Sequence, residues 1–338
     1  MNNFDYQKAP DVATALRAGT GRGHEYLGGG TNLLDLWKYD LTHPTKLVDV
    51  NGLEDYKTIE ELPDGGLRLG ALVTNNTTAY HPLVQERYPL LSRTILAGAT
   101  PQIRNSATNG GNLLQRTRCY YFYDKASPCN KRVPGSGCPA IEGHNRLHAI
   151  VGHSESCIAV MPSDMCVALA ALKATVLVTG PDGQRRIPFA DFHRLPGDQP
   201  QLDNTLKPDE LILAIDLPPQ GFAEHHTYLK LRDRLSYAFA LVSVAIGYEL
   251  ENGKITTARI AMGGVAHKPW RVPAAEEALV GQAPTEANFA RAADVLLAGA
   301  RGFEHNTFKI DLGRRAVVRA GMMALDPSCQ RPGAKPSL

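Results

Sequence analysis

No run of about eighteen or more apolar residues occurs in the sequence, so no segment is expected to cross a bilayer as a helix. Neither sign of charge is in excess: 36 Lys and Arg stand against 34 Asp and Glu, for a formal net charge of +2. So even a balance gives no electrostatic footprint for nucleic acid or an acidic membrane. The opening Met1-Asn2-Asn3-Phe4-Asp5-Tyr6 has neither the basic region nor the apolar stretch of a secretory signal, and the chain is not expected to export itself. Internal repeats and low-complexity segments are also missing, which argues against a solenoid. What remains, with 338 residues and 43% hydrophobic content, is the expectation of a soluble globular protein of two or three domains with a substantial core.

Closely paired cysteines are absent too. Five of the six cysteines (Cys119, Cys129, Cys138, Cys157 and Cys166) cluster in mid-sequence, while Cys329 stands alone in a polar tail. The first four are separated by nine, eight and eighteen residues. Structural zinc usually shows cysteines two to four residues apart. Four thiolates can hold a [4Fe–4S] cluster, though this spacing is not a common ferredoxin run. Disulfide frameworks belong mainly to small secreted domains. Spacing alone therefore leaves free core thiols, a zinc or disulfide staple, and a cluster all open.

Periodicity and turn chemistry outline the elements. Asp11 is a candidate N-cap for a helix through Leu16 and Arg17, with Gly19 as its stop. Residues 24–27 read as a strand that runs into Gly28-Gly29-Gly30-Thr31-Asn32, followed by a helix through Leu33, Leu34, Leu36 and Trp37 and a strand over 46–50. Strands over 56–62 and 67–72 flank the turn Pro63-Asp64-Gly65-Gly66, and one helix is expected over about 83–97. Residues 98–112 read as a polar, glycine-rich stretch. Residues 115–156 show little periodicity; a loop that long is usually functional or disordered, and its cysteines argue against disorder. Beyond it come a helix over 165–172, strands over 175–179, 184–188 and 211–217, and a boundary at Pro218-Pro219. Strands over 227–231, 240–249 and 254–262, then helices over about 273–279, 285–298 and 311–323, form a separate module. The tail after Asp326 is expected to fray.

Two glycine-rich segments carry the chemistry. Gly19-Thr20-Gly21-Arg22-Gly23-His24 imitates a dinucleotide fingerprint, but it follows a helix, precedes a strand and has His24 where the third glycine belongs, so it is a loop. Gly28-Gly29-Gly30-Thr31-Asn32-Leu33 does follow a strand and open a helix. Free N–H groups there can face a phosphate, although a plain tight turn would look the same. The second segment, Gln102-Ile103-Arg104-Asn105-Ser106-Ala107-Thr108-Asn109-Gly110-Gly111-Asn112-Leu113, could hold the other side of a pyrophosphate.

This pair of motifs resembles the flavin domain of the xanthine dehydrogenase, carbon monoxide dehydrogenase and aldehyde oxidoreductase family of molybdenum hydroxylases. The resemblance continues through Pro162-Ser163-Asp164, Glu210-Leu211-Ile212, Lys230, Arg232-Asp233-Arg234-Leu235-Ser236-Tyr237-Ala238 and Met262-Gly263-Gly264-Val265-Ala266. It implies an α+β fold: a vanillyl-alcohol-oxidase-type FAD-binding domain of two subdomains, plus a C-terminal domain like that of the carbon monoxide dehydrogenase flavoprotein. The implied boundaries are 1–55, 56–220 with an insertion at about 115–157, 223–326, and a flexible tail over 327–338. FAD contacts are implied at Tyr26, Leu27, Gly28, Gly29, Gly30, Thr31, Asn32, Leu33, Thr108, Gly111, Asn112, Asp164, Ile212 and Lys230. In the family the aspartate lies near the adenosine, the strand at Ile212 lines the flavin site, and the lysine stands at the pyrimidine edge of the isoalloxazine. A cation there would favour the anionic reduced flavin.

Arg118-Cys119-Tyr120-Tyr121-Phe122-Tyr123 through Pro128-Cys129-Asn130-Lys131-Arg132 and Gly135-Ser136-Gly137-Cys138 is similar to the insertion of the periplasmic aldehyde oxidoreductases. There, and in the related hydroxybenzoyl-CoA reductases, four cysteines bind a [4Fe–4S] cluster, which points to Cys119, Cys129, Cys138 and Cys157. Cys166 is then expected to be a buried free thiol and Cys329 an exposed bystander. His144, His148 and His153 are expected to be hydrogen-bonding or surface residues. The aromatic run 120–123 is expected to pack around the cluster or over a domain seam.

The resemblance further implies a heterotrimer with a large molybdenum-cofactor subunit and a small subunit carrying two [2Fe–2S] clusters. Electrons from aldehyde oxidation on the large subunit would reach FAD through the small one and leave to an external acceptor, with no general acid or base needed on this chain. The periplasm would be reached by co-export with a signal-bearing partner; otherwise the chain stays in the cytoplasm. The alternatives are the flavin subunit of a related molybdenum hydroxylase, a stand-alone FAD enzyme that oxidises its own substrate, and a zinc or disulfide-stapled docking platform.

Overall fold

The helix and strand signals at the N-terminus build a small parallel sheet. The computed structural model describes residues 2–326. The expected fraying of 327–338 and the expected exposure of Cys329 lie outside the described residues. Strands β1 (Asp5–Lys8), β2 (His24–Leu27) and β3 (Lys46–Asp49) pair in parallel in the order β1-β3-β2. Parallel neighbours need a crossover, supplied by the helices Val12–Gly19 and Leu33–Lys38. Asp11 caps the first of these, accepting from the Thr14 N–H at 2.7 Å. β1 is not evident from pattern: its residues are mostly exposed and do not alternate in burial, so only its pairing with β3 makes it a strand.

Five antiparallel strands form the second sheet, in the order β4 (Ile59–Glu61), β5 (Leu67–Gly70), β8 (Leu211–Leu217), β6 (Thr175–Gly180) and β7 (Gly183–Pro188). The central β8 is buried along its whole length, and it has a bulge: Leu177 pairs with Ala214 and Val178 with Ile212, leaving Leu213 over. The extra residue inverts which face each side chain takes. Leu211 and Leu213 join the core under the small parallel sheet, whereas Ile215 and Leu217 join the main core. One strand thus holds two subdomains together.

The helix expected over 83–97 is two helices, Pro82–Arg87 and Pro89–Leu96, meeting at Tyr88 with φ −130° and ψ 50°. Pro89 lacks an N–H and disfavours helical geometry in the residue before it, so the break is where proline chemistry puts it. The polar stretch after residue 98 is likewise not all loop; it contains the short helices Pro101–Ser106 and Asn109–Leu113, capped by Thr100 and Thr108.

A three-stranded antiparallel meander, β9 (His225–Leu231), β10 (Val242–Glu251) and β11 (Lys254–Gly263), makes the third sheet. Asn252 and Gly253, at φ 52° and 73°, form the tight turn that Asn-Gly favours between β10 and β11. Helices Glu286–Leu296 and Phe308–Leu325 cover one face. On the other face lies Asp164–Ala171, which is buried from Met165 onward because it is sandwiched between this sheet and the main core. It has no polar face to show in sequence.

Candidate functional site: a two-lobed cleft beside a four-thiol cavity

The two glycine loops meet each other. A Cβ added at Gly29 would sit 1.8 Å from the Ser106 carbonyl oxygen, and the Ser106 hydroxyl donates to the Gly29 carbonyl at 2.9 Å. Gly30 takes φ 70°, a left-handed conformation that glycine adopts without strain. On the second loop the Thr108 hydroxyl accepts from the Gly111 N–H at 3.2 Å, which opens the helix Asn109–Leu113.

Beneath this contact is a buried amide network. Asn109 Nδ2 donates to Thr78 Oγ1 (2.9 Å), its Oδ1 accepts from Asn75 (3.1 Å), and Asn112 donates to Asn75 Oδ1 (2.6 Å) and accepts from Ser163 Oγ (2.5 Å). Each buried polar group has a partner, as a rigid platform requires. Asn75 and Thr78 carry no motif and are not recognisable from sequence.

Two cavities open on either side of the loops. One, of about 1170 Å³, runs from Glu25 through Leu33 past Thr108 and Gly111 to Glu210, Leu211 and Ile212. The other, of about 1100 Å³, is lined by Asn112, Arg118, Asp164, Lys230, Tyr237 and Phe239, among others. They share Thr31, Asn32 and Gly111. Every residue singled out for FAD contact lies on one lobe or the other.

Their division differs from the expected one. Lys230 Nζ donates to Asp164 Oδ2 at 2.8 Å, and the Tyr228 hydroxyl also donates to Asp164. Asp164 and Lys230 are therefore neighbours in one lobe, whereas Ile212 lines the other. The cause is packing: Asp164 opens the helix that packs on β10 and β11, and β9, where Lys230 resides, pairs with β10. Burial and the Asp164 charge push the Tyr228 hydroxyl well above its usual value, so it keeps its proton and donates. Arg118 was not anticipated; it lines the same lobe and donates to Asp35 (2.7 Å) and Tyr123 Oη (2.6 Å).

Cys119, Cys129, Cys138 and Cys157 line one small cavity together with Tyr121, Phe122, Lys131 and His148. All four are free thiols. Among the described residues no three His, Cys, Asp or Glu side chains converge closely enough to hold a single metal ion.

The Ala159 N–H donates to Cys157 Sγ at 3.4 Å. Burial pushes the Cys119 thiol up to about 12 and Cys157 to about 11. These four cysteines are the ones the resemblance assigned to a cluster, and the structure brings them to one cavity. Cys166 is fully buried on Asp164–Ala171, away from this cavity, as expected. His144 is exposed, His153 packs on the Phe303 ring at 5.0 Å, and buried His148 has Nε2 3.1 Å from Cys119 Sγ.

The long insertion is tied down by more than its cysteines. Asp203 accepts from Lys131 (2.6 Å) and Arg116 (2.8 Å), and Lys131 also donates to the Pro200 carbonyl. Lys309, buried in the C-terminal module, donates to the carbonyl of His148 at 2.7 Å.

Residues 2–220 match the family described as FAD binding domain in molybdopterin dehydrogenase, and residues 226–306 match the CO dehydrogenase flavoprotein C-terminal domain. The chain belongs to the FAD-binding family of molybdopterin dehydrogenases. It is 50% identical to the aldehyde oxidoreductase FAD-binding subunit PaoB of Escherichia coli (strain K12), over 94% of this chain and 97% of that one. It is 25% identical to the carbon monoxide dehydrogenase medium chain of Afipia carboxidovorans, over 83% and 81%. A solved carbon monoxide dehydrogenase from Hydrogenophaga pseudoflava superposes with a TM-score of 0.74 at 25% identity, covering 96% of this chain and 97% of that chain.

The molybdopterin dehydrogenase flavin subunit described here thus has the expected architecture, a vanillyl-alcohol-oxidase-type FAD-binding domain followed by a flavoprotein C-terminal domain. It is an FAD electron-transfer subunit of a multi-subunit, molybdenum-containing oxidoreductase. The cleft fits the cofactor. It is two-lobed, and at its waist the glycines let the two loops touch: a Cβ at Gly29 would strike the Ser106 backbone, and one at Gly28 or Gly111 would crowd the Thr108 hydroxyl.

One support of the second loop responds to pH. His193 Nε2 lies 2.8 Å from the Leu113 carbonyl, and burial holds the imidazole down to about 4 from an ordinary 6.5. The unfolded chain takes up this proton near pH 6.5 and the folded chain only near 4, so stability is fully present above 6.5 and falls as pH drops through that window. The contribution is on the order of 3 kcal/mol at most. His193→Gln keeps an N–H for Leu113 and loses the titration. Denaturant unfolding of both forms between pH 7 and 4 is expected to show a flatter decline for the variant, and parallel declines would reject the assignment.

Proposed function

We propose that this chain is the flavin subunit of a molybdenum-containing aldehyde oxidoreductase and holds a [4Fe–4S] cluster in addition to FAD. The observation that carries the reading is the adjacency of the two-lobed cleft and the four-thiol cavity. Arg118 lines the first and its neighbour Cys119 the second. Sequence identity of 50% to an aldehyde oxidoreductase FAD-binding subunit supports aldehydes as the substrates of the assembled enzyme.

In this reading the backbone N–H groups of Gly28–Asn32 and Thr108–Asn112 hold the pyrophosphate. The lobe with Lys230, Asp164, Tyr237 and Phe239 takes the isoalloxazine, and the lobe reaching Ile212 takes the adenosine. The bound flavin supplies the redox chemistry. The protein's share is placement and charge: Asp164 fixes the Lys230 ammonium at the lobe wall, and Phe239 and Tyr237 cover it.

Cys119, Cys129, Cys138 and Cys157 are the cluster ligands. The partners are a large molybdenum-cofactor subunit, where aldehyde becomes carboxylic acid, and a small subunit with two [2Fe–2S] clusters that delivers electrons here before they pass to an external acceptor. The domain limits are those implied by the family resemblance, and the complex reaches the periplasm by co-export with a signal-bearing partner.

The test is the iron, acid-labile sulfide, zinc and FAD content of the anaerobically purified subunit. About four irons, four sulfides and one FAD per chain are expected, the stoichiometry of one cluster plus flavin. FAD without iron would remove the cluster from the reading, and zinc without iron would favour a docking platform. Folded protein with neither cofactor would overturn it. Cell fractionation with all subunits co-expressed checks the location; a flavin subunit confined to the cytoplasm would reject co-export.

A further inference from the structure

His148 is an unusual residue to find beside a cysteine cluster. It is 2% exposed, and its Nε2 lies 3.1 Å from Cys119 Sγ. Its other ring nitrogen has no hydrogen-bond partner among the described residues. The ring's one polar contact is therefore a sulfur.

Its main chain is clamped from several sides. The His148 N–H donates to the Asn145 carbonyl (2.9 Å), and its carbonyl accepts from Lys309 Nζ (2.7 Å) and Asn306 Nδ2 (3.3 Å). Lys309 is itself fully buried, donates to Gly264 O as well, and forms no ion pair with a carboxylate among the described residues. Such anchoring fixes where the ring points. It also places the buried Lys309 amine directly behind the histidine.

A thiolate that ligates iron can only accept a hydrogen bond, and a neutral imidazole has one N–H to give. The 3.1 Å contact therefore selects the tautomer with its proton on Nε2. Hydrogen bonds to the sulfurs and the charge around a cluster set its reduction potential, because each stabilises the added electron. Cys119 is also the only one of the four cysteines to line the cavity of about 560 Å³ that reaches Asp164 and Phe239 of the flavin lobe.

We propose that His148 is a positioning residue of the cluster: its Nε2–H donates to the sulfur of Cys119, the one of the four cysteines that lines the adjoining cavity, and raises the potential at which the cluster accepts an electron. The inference rests on the cluster reading above and adds to it a residue, an atom and a direction.

The experiment is an EPR-monitored redox titration of the assembled complex carrying wild-type, His148→Phe or His148→Gln flavin subunit, with iron and sulfide counted in each. His148→Phe fills the space without a donor. It is expected to shift the oxidised-to-reduced ratio of the cluster at fixed potential about tenfold towards oxidised, about 59 mV for one electron. His148→Gln retains an N–H and is expected to stay nearer wild type.

An unchanged potential in His148→Phe with full iron and sulfide would overturn the proposal while leaving the cluster in place. Absence of the cluster from the wild-type complex would instead remove the reading beneath it. Should His148→Phe assemble poorly, wild-type enzyme labelled with 15N-histidine decides the matter. A nitrogen coupling on the reduced-cluster signal is expected, and its absence would reject the hydrogen bond.

Discussion

Gly29→Ala is expected to leave a folded protein that no longer retains FAD through gel filtration. The added Cβ would meet the Ser106 carbonyl oxygen at 1.8 Å and its carbon at 2.6 Å. Neither belongs to a flexible side chain that can turn aside, so the two loops must separate, and their contact is the waist of the cleft. Overpacking typically costs about 1–3 kcal/mol, and a backbone collision belongs at the upper end. If that cost falls on the bound state, FAD binds roughly 100-fold more weakly.

A graded control exists in the same contact. Ser106→Ala removes only the hydroxyl that donates to Gly29 O at 2.9 Å, a loss of about 1 kcal/mol and a severalfold weaker Kd. Gly29 and Ser106 are not core residues, so the circular dichroism of both variants should match the parent. Titration of apoprotein with FAD measures the effect. An unaltered Kd in Gly29→Ala would mean that the loop contact does not shape the cofactor site.

The second large effect is expected from the cysteines. Cys119→Ser, Cys129→Ser, Cys138→Ser and Cys157→Ser should each lower iron and sulfide from about four per chain to near zero, because a [4Fe–4S] cluster needs all four thiolates. Cys166→Ser should keep both, since Cys166 lies buried on the helix Asp164–Ala171 and outside the thiol cavity. FAD should survive in all five, because the glycine loops stand on their own amide network and the insertion remains tied through Lys131, Arg116 and Asp203. Of these four variants, Cys119→Ser should disturb the flavin absorption most, its neighbour Arg118 lining the lobe proposed for the isoalloxazine. Full iron in every single variant would dismiss these residues as cluster ligands.

What could be read beforehand was local. Glycine at 28–30 after a strand, Asn252-Gly253 between two apolar runs, Asp11 ahead of a helix and a proline-rich boundary at 218–219 each follow from the conformational limits of a few neighbouring residues. Pro89 belonged with these; apolar periodicity across 83–97 masked it, although proline chemistry puts the helix break there. Strand β1 was invisible for the opposite reason, since its burial does not alternate and only its partner defines it.

The sequence by itself determined the family, through the resemblance its motifs carry, and it determined the two glycine-rich loops and most of the elements, because glycine and proline chemistry and the helix and strand periods act over short stretches of chain. The tertiary structure alone decided that Gly29 rests on Ser106, that Asp164 pairs with Lys230 and not with the far lobe, that a bulge at Leu213 joins two cores, and that His148 reaches Cys119. Those contacts join residues far apart along the chain. Their distances depend on how sheets and helices pack in three dimensions, which no single stretch of sequence records.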